Sequence, residues 1–171
     1  MGKVRLCLLS FLFFAWVSPI FGQTDTFPRQ GFRLPSDAAD TIWSALTNKK
    51  TTTLKAFTVS EDVFKAEVRR RGDTITPDQI VHGQWLAYAY KVDKGFSKTR
   101  KVLKKKKVNL KKSLRDTVLT YSNPEMPYNR RMEMYFTRGK KTGVIRFELW
   151  RVADLWYLMG KMEYREENGK I

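Results

Sequence analysis

The chain has 171 residues, with 33 Lys and Arg against 17 Asp and Glu, and a formal net charge of +16 at pH 7. This length suits one domain with an ordinary core and leaves little room for a second. The single histidine and the single cysteine are too few for a zinc site. The sequence also lacks a glycine-rich phosphate loop and a nucleophile elbow, so we expect no metal and no cofactor.

The first 22 residues are typical of a secretory signal peptide. Lys3 and Arg5 give a positive start, residues 6–14 are apolar apart from Ser10, and residues 18–22 break any helix before a small residue. The apolar run is too short for a permanent membrane anchor. We therefore expect cleavage after Gly22 and a secreted or periplasmic protein.

The only cysteine, Cys7, lies inside this apolar run. A lipoprotein cleavage site cannot stand so early in a signal peptide, so we do not expect a lipoprotein. The mature chain would then contain no cysteine, and an exported domain without disulfides depends on its hydrophobic core. No later segment is long and apolar enough to predict a transmembrane helix.

The positive charge is concentrated in residues 91–115, which contain twelve Lys or Arg and one acid, Asp93. Such a cluster attracts polyanions, and outside the cytoplasm these are envelope lipids, acidic polysaccharides or anionic protein partners. A plain solvated helix face is the alternative. We do not expect nucleic acid as a biological partner of an exported protein. The candidate anion-binding residues are Lys101, Lys104, Lys105, Lys106, Lys107, Lys111 and Lys112.

The first half of the mature chain has helical periodicity. An extended leader over 23–35 precedes a helix capped by Ser36. A second helix begins at Ser60, with Val59 and Phe64 at the positions of a hydrophobic staple, and ends before Gly72.

The third predicted helix has the strongest start signal in the sequence. Thr76 is the expected N-cap, Pro77 takes the first helical position, and Gln79 completes a capping box. Ile75 and Ile80 stand at staple positions. The apolar residues Val81, Trp85, Tyr88 and Val92 then recur at helical spacing. Gly95 is expected to end or kink this helix.

After Ser113 the apolar pattern becomes alternating, as in β-strands. The predicted strands are 115–121, 130–138, 143–152 and 155–165, followed by a polar tail over 166–171. Helices first and hairpin-connected strands afterwards predict a single α+β domain over 36–165, with a four-stranded antiparallel sheet.

This order of elements and the segment 151–158, RVADLWYL, resemble the nuclear-transport-factor-2-like (cystatin-like cone) superfamily, in particular small secreted members from bacterial envelopes. The likeness extends from Ser36 to Tyr164 in layout, and in sequence over the last two strands only. It implies a curved sheet that wraps the long helix and leaves a cone-shaped pocket. That fold hosts isomerases, dehydratases, hydrolases and binding modules, so it does not fix a function.

Two further residue pairs are candidates for a site. His82, four residues after Asp78 on the third helix, could serve as a general base in the pocket of an enzyme. The alternative is a boundary histidine held by a neighbouring acid. Trp150 shares a strand face with Arg146, which predicts a ligand or partner surface. Because no second catalytic group accompanies His82, we expect a non-catalytic binding module first and an enzyme second.

Overall fold

The computed structural model describes residues 30–50 and 52–167, which form an α+β fold. The predictions for the signal peptide, for most of the leader and for the last four residues lie outside the described residues. The helices are α1 (Pro35–Asn48), α2 (Thr52–Lys55), α3 (Glu61–Arg70) and α4 (Asp78–Lys105), followed by a short 3-10 turn (Leu110–Lys112). The strands are β1 (Leu114–Asn123), β2 (Met126–Arg138), β3 (Lys141–Val152), β4 (Leu155–Leu158) and β5 (Glu163–Glu167).

The N-cap of helix α1 lies two residues earlier than predicted. Leu34 stands at the N-cap, and its backbone N–H donates to Asp37 Oδ2 at 3.2 Å. The fixed φ of Pro35 suits the first helical position, so the predicted cap at Ser36 is wrong. The apolar stripe of α1 is buried as the periodicity predicts: Ala38, Ala39, Ile42, Ala45 and Leu46.

Helix α3 follows the prediction and the start of α4 does not. Val59 and Phe64 are both buried in one cluster at the start of α3, whereas Ile75 is 91% exposed and Ile80 53% exposed. The predicted staple at α4 is therefore wrong, and Pro77 rather than Thr76 holds the cap position. Arg69 fixes this loop instead, because its guanidinium donates to Thr76 O and to Asp78 Oδ1, each at 2.6 Å.

Gly95 does not end α4, which continues past it in an uninterrupted helix of 28 residues. A Cβ at this position would lie 2.6 Å from the backbone nitrogen of Met162. The glycine therefore allows the helix to pack directly on the segment between β4 and β5, where any side chain would push the two backbones apart.

The sheet has five strands rather than the predicted four. They are antiparallel in the order β1-β2-β3-β4, and β5 also pairs with β3. The predicted last strand, 155–165, is interrupted at Gly160, whose φ of 83° leaves the extended region. Glu166 and Glu167, expected in the polar tail, belong to β5.

The two faces of the sheet belong to two apolar clusters. The larger contains the alternating residues Met132, Met134 and Phe136 of β2 together with α1 and the second half of α4. The smaller contains Trp150, packed with Phe64 of α3 and with the first half of α4. Helix α4 therefore contributes to both clusters, which fixes its last turn relative to the sheet.

Candidate functional site

The C-terminal end of α4 is closed by a backbone motif that presents lysines. Lys107 N–H donates to Lys104 O at 3.0 Å and Val108 N–H donates to Leu103 O at 2.8 Å. This is the pattern of a Schellman motif, in which the residue after the cap takes a left-handed conformation. That residue is Lys107, with φ of 55°. The lysines of the last turn also face the negative end of the helix dipole, which favours positive charge there.

The structure places the predicted anion-binding residues at one end of the molecule. All seven lysines, 101, 104–107, 111 and 112, are exposed. They lie on the last turns of α4 and on the 3-10 turn that follows it. Because their side chains remain in solvent, their charges are available to a partner.

Cations from a second element join these lysines. The guanidinium of Arg138, at the end of β2, donates to the backbone oxygen of Lys107. The β2–β3 turn that follows carries Lys140 and Lys141, and both are exposed. We call the seven lysines together with Arg138, Lys140 and Lys141 the basic end. Sequence analysis missed the hairpin residues because only the folded chain brings the turn beside α4.

One acidic side chain lies inside this positive surface. Glu166 of β5 accepts from Lys106 Nζ and from Lys141 Nζ, each at 3.3 Å and on a different carboxylate oxygen. The hydrogen bonds and charges of these two lysines hold the pKa of Glu166 below its ordinary value. Glu166 is therefore an ionised bridge between the helix end and the hairpin.

A cavity of about 290 Å³ opens between the helix end and the hairpin. We call it the junction cavity. Its apolar lining includes Phe136 and Tyr164, whose rings lie 6.0 Å apart. Its charged lining consists of Lys106, Lys107, Arg138 and Lys141. The cavity thus joins four cationic side chains to an aromatic wall.

A larger cavity, of about 500 Å³, lies at the opposite end of β2. We call it the sheet cavity. Its lining includes Tyr88, Tyr121, Arg131 and Glu148. Glu148 lines the cavity. Desolvation by the surrounding protein raises the pKa of its carboxyl group above the ordinary value. A Cβ on Gly160 would collide with this carboxylate, at 2.1 Å from Oε2, so the glycine makes room for it.

The predicted pair of His82 and Asp78 does not form. His82 Nδ1 lies 2.8 Å from Glu61 Oε1, and Asp78 pairs with Arg69. Neither residue is among those that line the two cavities. The prediction of an acid that orients His82 is right in kind and wrong in the partner, because α3 packs against this turn of α4 and supplies Glu61.

Trp150 and Arg146 also lie outside the lining of both cavities. Trp150 is 6% exposed. It packs on Phe64 with ring centroids 5.3 Å apart, and the guanidinium of Arg71 covers it at 4.6 Å. The charged neighbours on its strand face led us to expect an open surface, but α3 covers the tryptophan.

Arg146 belongs to a buried polar group. Its Nε lies 2.7 Å from Oε1 of Glu133, a carboxylate that is only 3% exposed. Tyr135 donates its hydroxyl to Glu133 Oε2 at 2.8 Å, and Tyr121 does so at 3.3 Å. This bond to a carboxylate raises the pKa of Tyr135 to about 12.

The described residues contain no group of three or more His, Cys, Asp or Glu that could hold a metal ion. Over the same part of the chain, no helix is long and apolar enough to span a membrane. Comparison with known protein families, with curated proteins and with solved structures finds no match for this chain. The resemblance to the nuclear-transport-factor-2-like superfamily therefore stays a prediction.

Proposed function

We propose that the protein is an exported, non-catalytic binding module of the bacterial cell envelope or the extracellular space, and that its basic end engages an anionic partner. The observation that carries this proposal is the convergence of two separate elements on one positive surface. Lysines of α4 and cations of the β2–β3 hairpin meet there, and Arg138 ties the two elements together. A field built from two elements attracts anions more strongly than a single solvated helix face does.

Export and the finer architecture belong to the same proposal. The sequence of residues 1–22 supports export. A cone-like sheet that wraps the long helix is supported by the shared core, because Val92 and Phe96 of α4 lie in one cluster with Met132 and Phe147 of the sheet. We expect mass analysis of the native N-terminus to find a chain that begins at Gln23. An intact Met1 in a cytoplasmic fraction would contradict export.

An anionic membrane surface is the partner that tests the basic end most simply. We expect the full chain to sediment with phosphatidylglycerol vesicles at low salt and to be released at several hundred millimolar salt, because screening shortens the range of the attraction. Replacing Lys104, Lys105, Lys106 and Lys107 together by Gln should remove most of this binding. Zwitterionic vesicles carry no net charge, so sedimentation with them measures the membrane binding that the apolar N-terminal run contributes.

A matched quadruple variant controls for the loss of four charges. Lys49, Lys50, Lys55 and Lys65 lie outside the basic end, and replacing them by Gln lowers the net charge equally. This control should retain most of the binding. Equal losses in the two variants would show that only net charge matters and would contradict the assignment to the basic end. If the protein bound an acidic polysaccharide or an acidic protein but did not bind vesicles, its anionic partner would be of that other class.

A small enzyme of the isomerase, dehydratase or hydrolase type is the second candidate. Sequence reasoning assigned its chemistry to His82 and Asp78, whereas the geometry favours Glu148 because this carboxyl lines the sheet cavity. A carboxyl with a raised pKa in a cavity is suited to general acid–base chemistry. Any turnover should then fall at least about 100-fold in Glu148→Gln and survive His82→Ala. The reverse result would support the original pair.

A further inference from the structure

The junction cavity lies within the basic end, and an acidic side chain of the chain itself bridges two of the cations that line it. The carboxylate of Glu166 accepts from Lys106 and Lys141, each at 3.3 Å, and both lysines line the cavity. Two further cations, Lys107 and Arg138, line the same cavity. One carboxylate thus pairs with two of the four cations that line the cavity, so the cavity keeps a positive excess that another anion can satisfy.

From this juxtaposition we infer that the junction cavity binds a phosphate monoester carried on an apolar group, and that Glu166 is the internal counter-ion which this ligand displaces. The inference rests on the proposed function and names the class of ligand that the junction cavity of the basic end would bind.

The charge balance selects the anion. A ligand carboxylate would bring one charge and would merely replace that of Glu166. A phosphate monoester brings between 1.5 and 2 negative charges near neutral pH and three acceptor oxygens. It can therefore accept from Lys106 and Lys141 and still offer an oxygen to a third cation. Such charge-assisted hydrogen bonds are the strong ones in protein recognition.

The wall of the cavity selects what carries the phosphate. The partly exposed Tyr164 presents aromatic surface beside the cations, with the buried Phe136 behind it, and Val108 adds an aliphatic contact. Inorganic phosphate would leave this surface in water, whereas an aryl or acyl group would cover it and gain the free energy of apolar burial. We therefore expect phenyl phosphate to bind more tightly than inorganic phosphate.

The chain offers matched variants for the test. Glu166→Gln and Glu167→Gln change the net charge equally, but only Glu166 bridges the two lysines. Lys141→Gln and Lys140→Gln are a second matched pair. Each removes one positive charge at the hairpin, but only Lys141 lines the cavity. All four are surface substitutions, and equal thermal midpoints would verify that each variant is folded.

The measurement is calorimetric titration of the full chain with phenyl phosphate and with inorganic phosphate at pH 8 and low salt. Glu166→Gln should tighten phenyl phosphate binding by about threefold to tenfold, the range expected when two exposed ion pairs no longer compete. Glu167→Gln should change it less than twofold. Lys141→Gln should weaken binding about fivefold or more, and Lys140→Gln should have little effect.

Two outcomes would overturn the inference while leaving the proposed function intact. These are equal gains in Glu166→Gln and Glu167→Gln, or no phenyl phosphate binding by a protein that still sediments with anionic vesicles. Vesicles containing phosphatidic acid separate the possible sources of the phosphate. If Glu166→Gln binds these vesicles more tightly than the unsubstituted protein does, the phosphate belongs to a lipid headgroup. If only its binding of phenyl phosphate is tighter, the ligand is a soluble ester.

Discussion

Two glycines on α4 allow the packing of the long helix on the sheet to be tested, because replacing each by alanine should change the free energy of unfolding differently. Gly83 and Gly95 lie twelve residues apart in the same helix. A Cβ on Gly83 meets nothing within 4 Å, whereas one on Gly95 lies 2.6 Å from Met162 N and 3.1 Å from Met162 O. Helix propensity alone favours alanine over glycine by about 1 kcal/mol at both positions.

The expected free energies of unfolding follow from these distances. Gly83→Ala should stabilise the protein by about 1 kcal/mol. Gly95→Ala gains the same propensity but forces two backbones apart. Overpacking of this kind costs about 1–3 kcal/mol, and backbone atoms cannot rotate out of the way. We therefore expect Gly95→Ala to be less stable than Gly83→Ala by about 1–3 kcal/mol.

Urea denaturation followed by circular dichroism measures both variants on one scale. Equal slopes of free energy against urea concentration would show that the folded and unfolded states expose similar surface in each. If Gly95→Ala stabilised the protein as much as Gly83→Ala, α4 would not pack on the segment between β4 and β5. The position of the last turns of α4 relative to the β2–β3 hairpin would then lose its support.

Three other pairs of substitutions, each a test and its control, probe local features of the structure. Lys107→Gly should stabilise the protein by about 1 kcal/mol, because glycine adopts the left-handed conformation without strain. Lys105→Gly lies inside the helix and should destabilise the protein. Thermal denaturation measures both effects. Arg146→Met should lower the free energy of unfolding, measured by urea denaturation, by about 3 kcal/mol, because the buried Glu133 loses its ion-pair partner. Arg165→Met removes an exposed ion pair and should lower it by less than about 1 kcal/mol. The pKa of Tyr135 is raised from its ordinary value of 10.0 to about 12, so its bond to Glu133 stabilises the fold below pH 10 and this stabilisation is lost as pH rises towards 12. Burial also raises the pKa of Tyr157 and of Tyr164, so the absorbance at 295 nm should lose one late-ionising tyrosine in Tyr135→Phe and none in Tyr128→Phe.

Local patterns predicted much of the fold. Alternation placed Met132, Met134 and Phe136 on one buried face because the side chains of a strand alternate strictly. Start signals of α4 were misread, since a capping box is a local preference and Arg69, from another helix, organises the loop. The split of the last strand escaped prediction because it occurs where Gly160 takes a φ of 83°, a backbone conformation that the apolar pattern of the neighbouring residues does not reveal.

The candidate site was predictable in part. A run of lysines is visible in the sequence, and all seven chosen lysines are exposed. Their partners Arg138 and Lys141 and the bridging Glu166 come from β2, β3 and β5, and no periodicity links them to α4. His82 was paired with Asp78 because residues four apart face each other on a helix. Tertiary packing supplied Glu61 instead.

Amide chemical-shift mapping of the full chain with phenyl phosphate at low salt tests the central claim most directly. The claim is that anions bind where α4 meets the β2–β3 hairpin. We expect the largest shifts within residues 104–112, 138–143 and 164–166, with loss of these shifts in Lys141→Gln. Shifts concentrated at Tyr88, Tyr121 and Glu148 would place the ligand in the sheet cavity and would contradict the account.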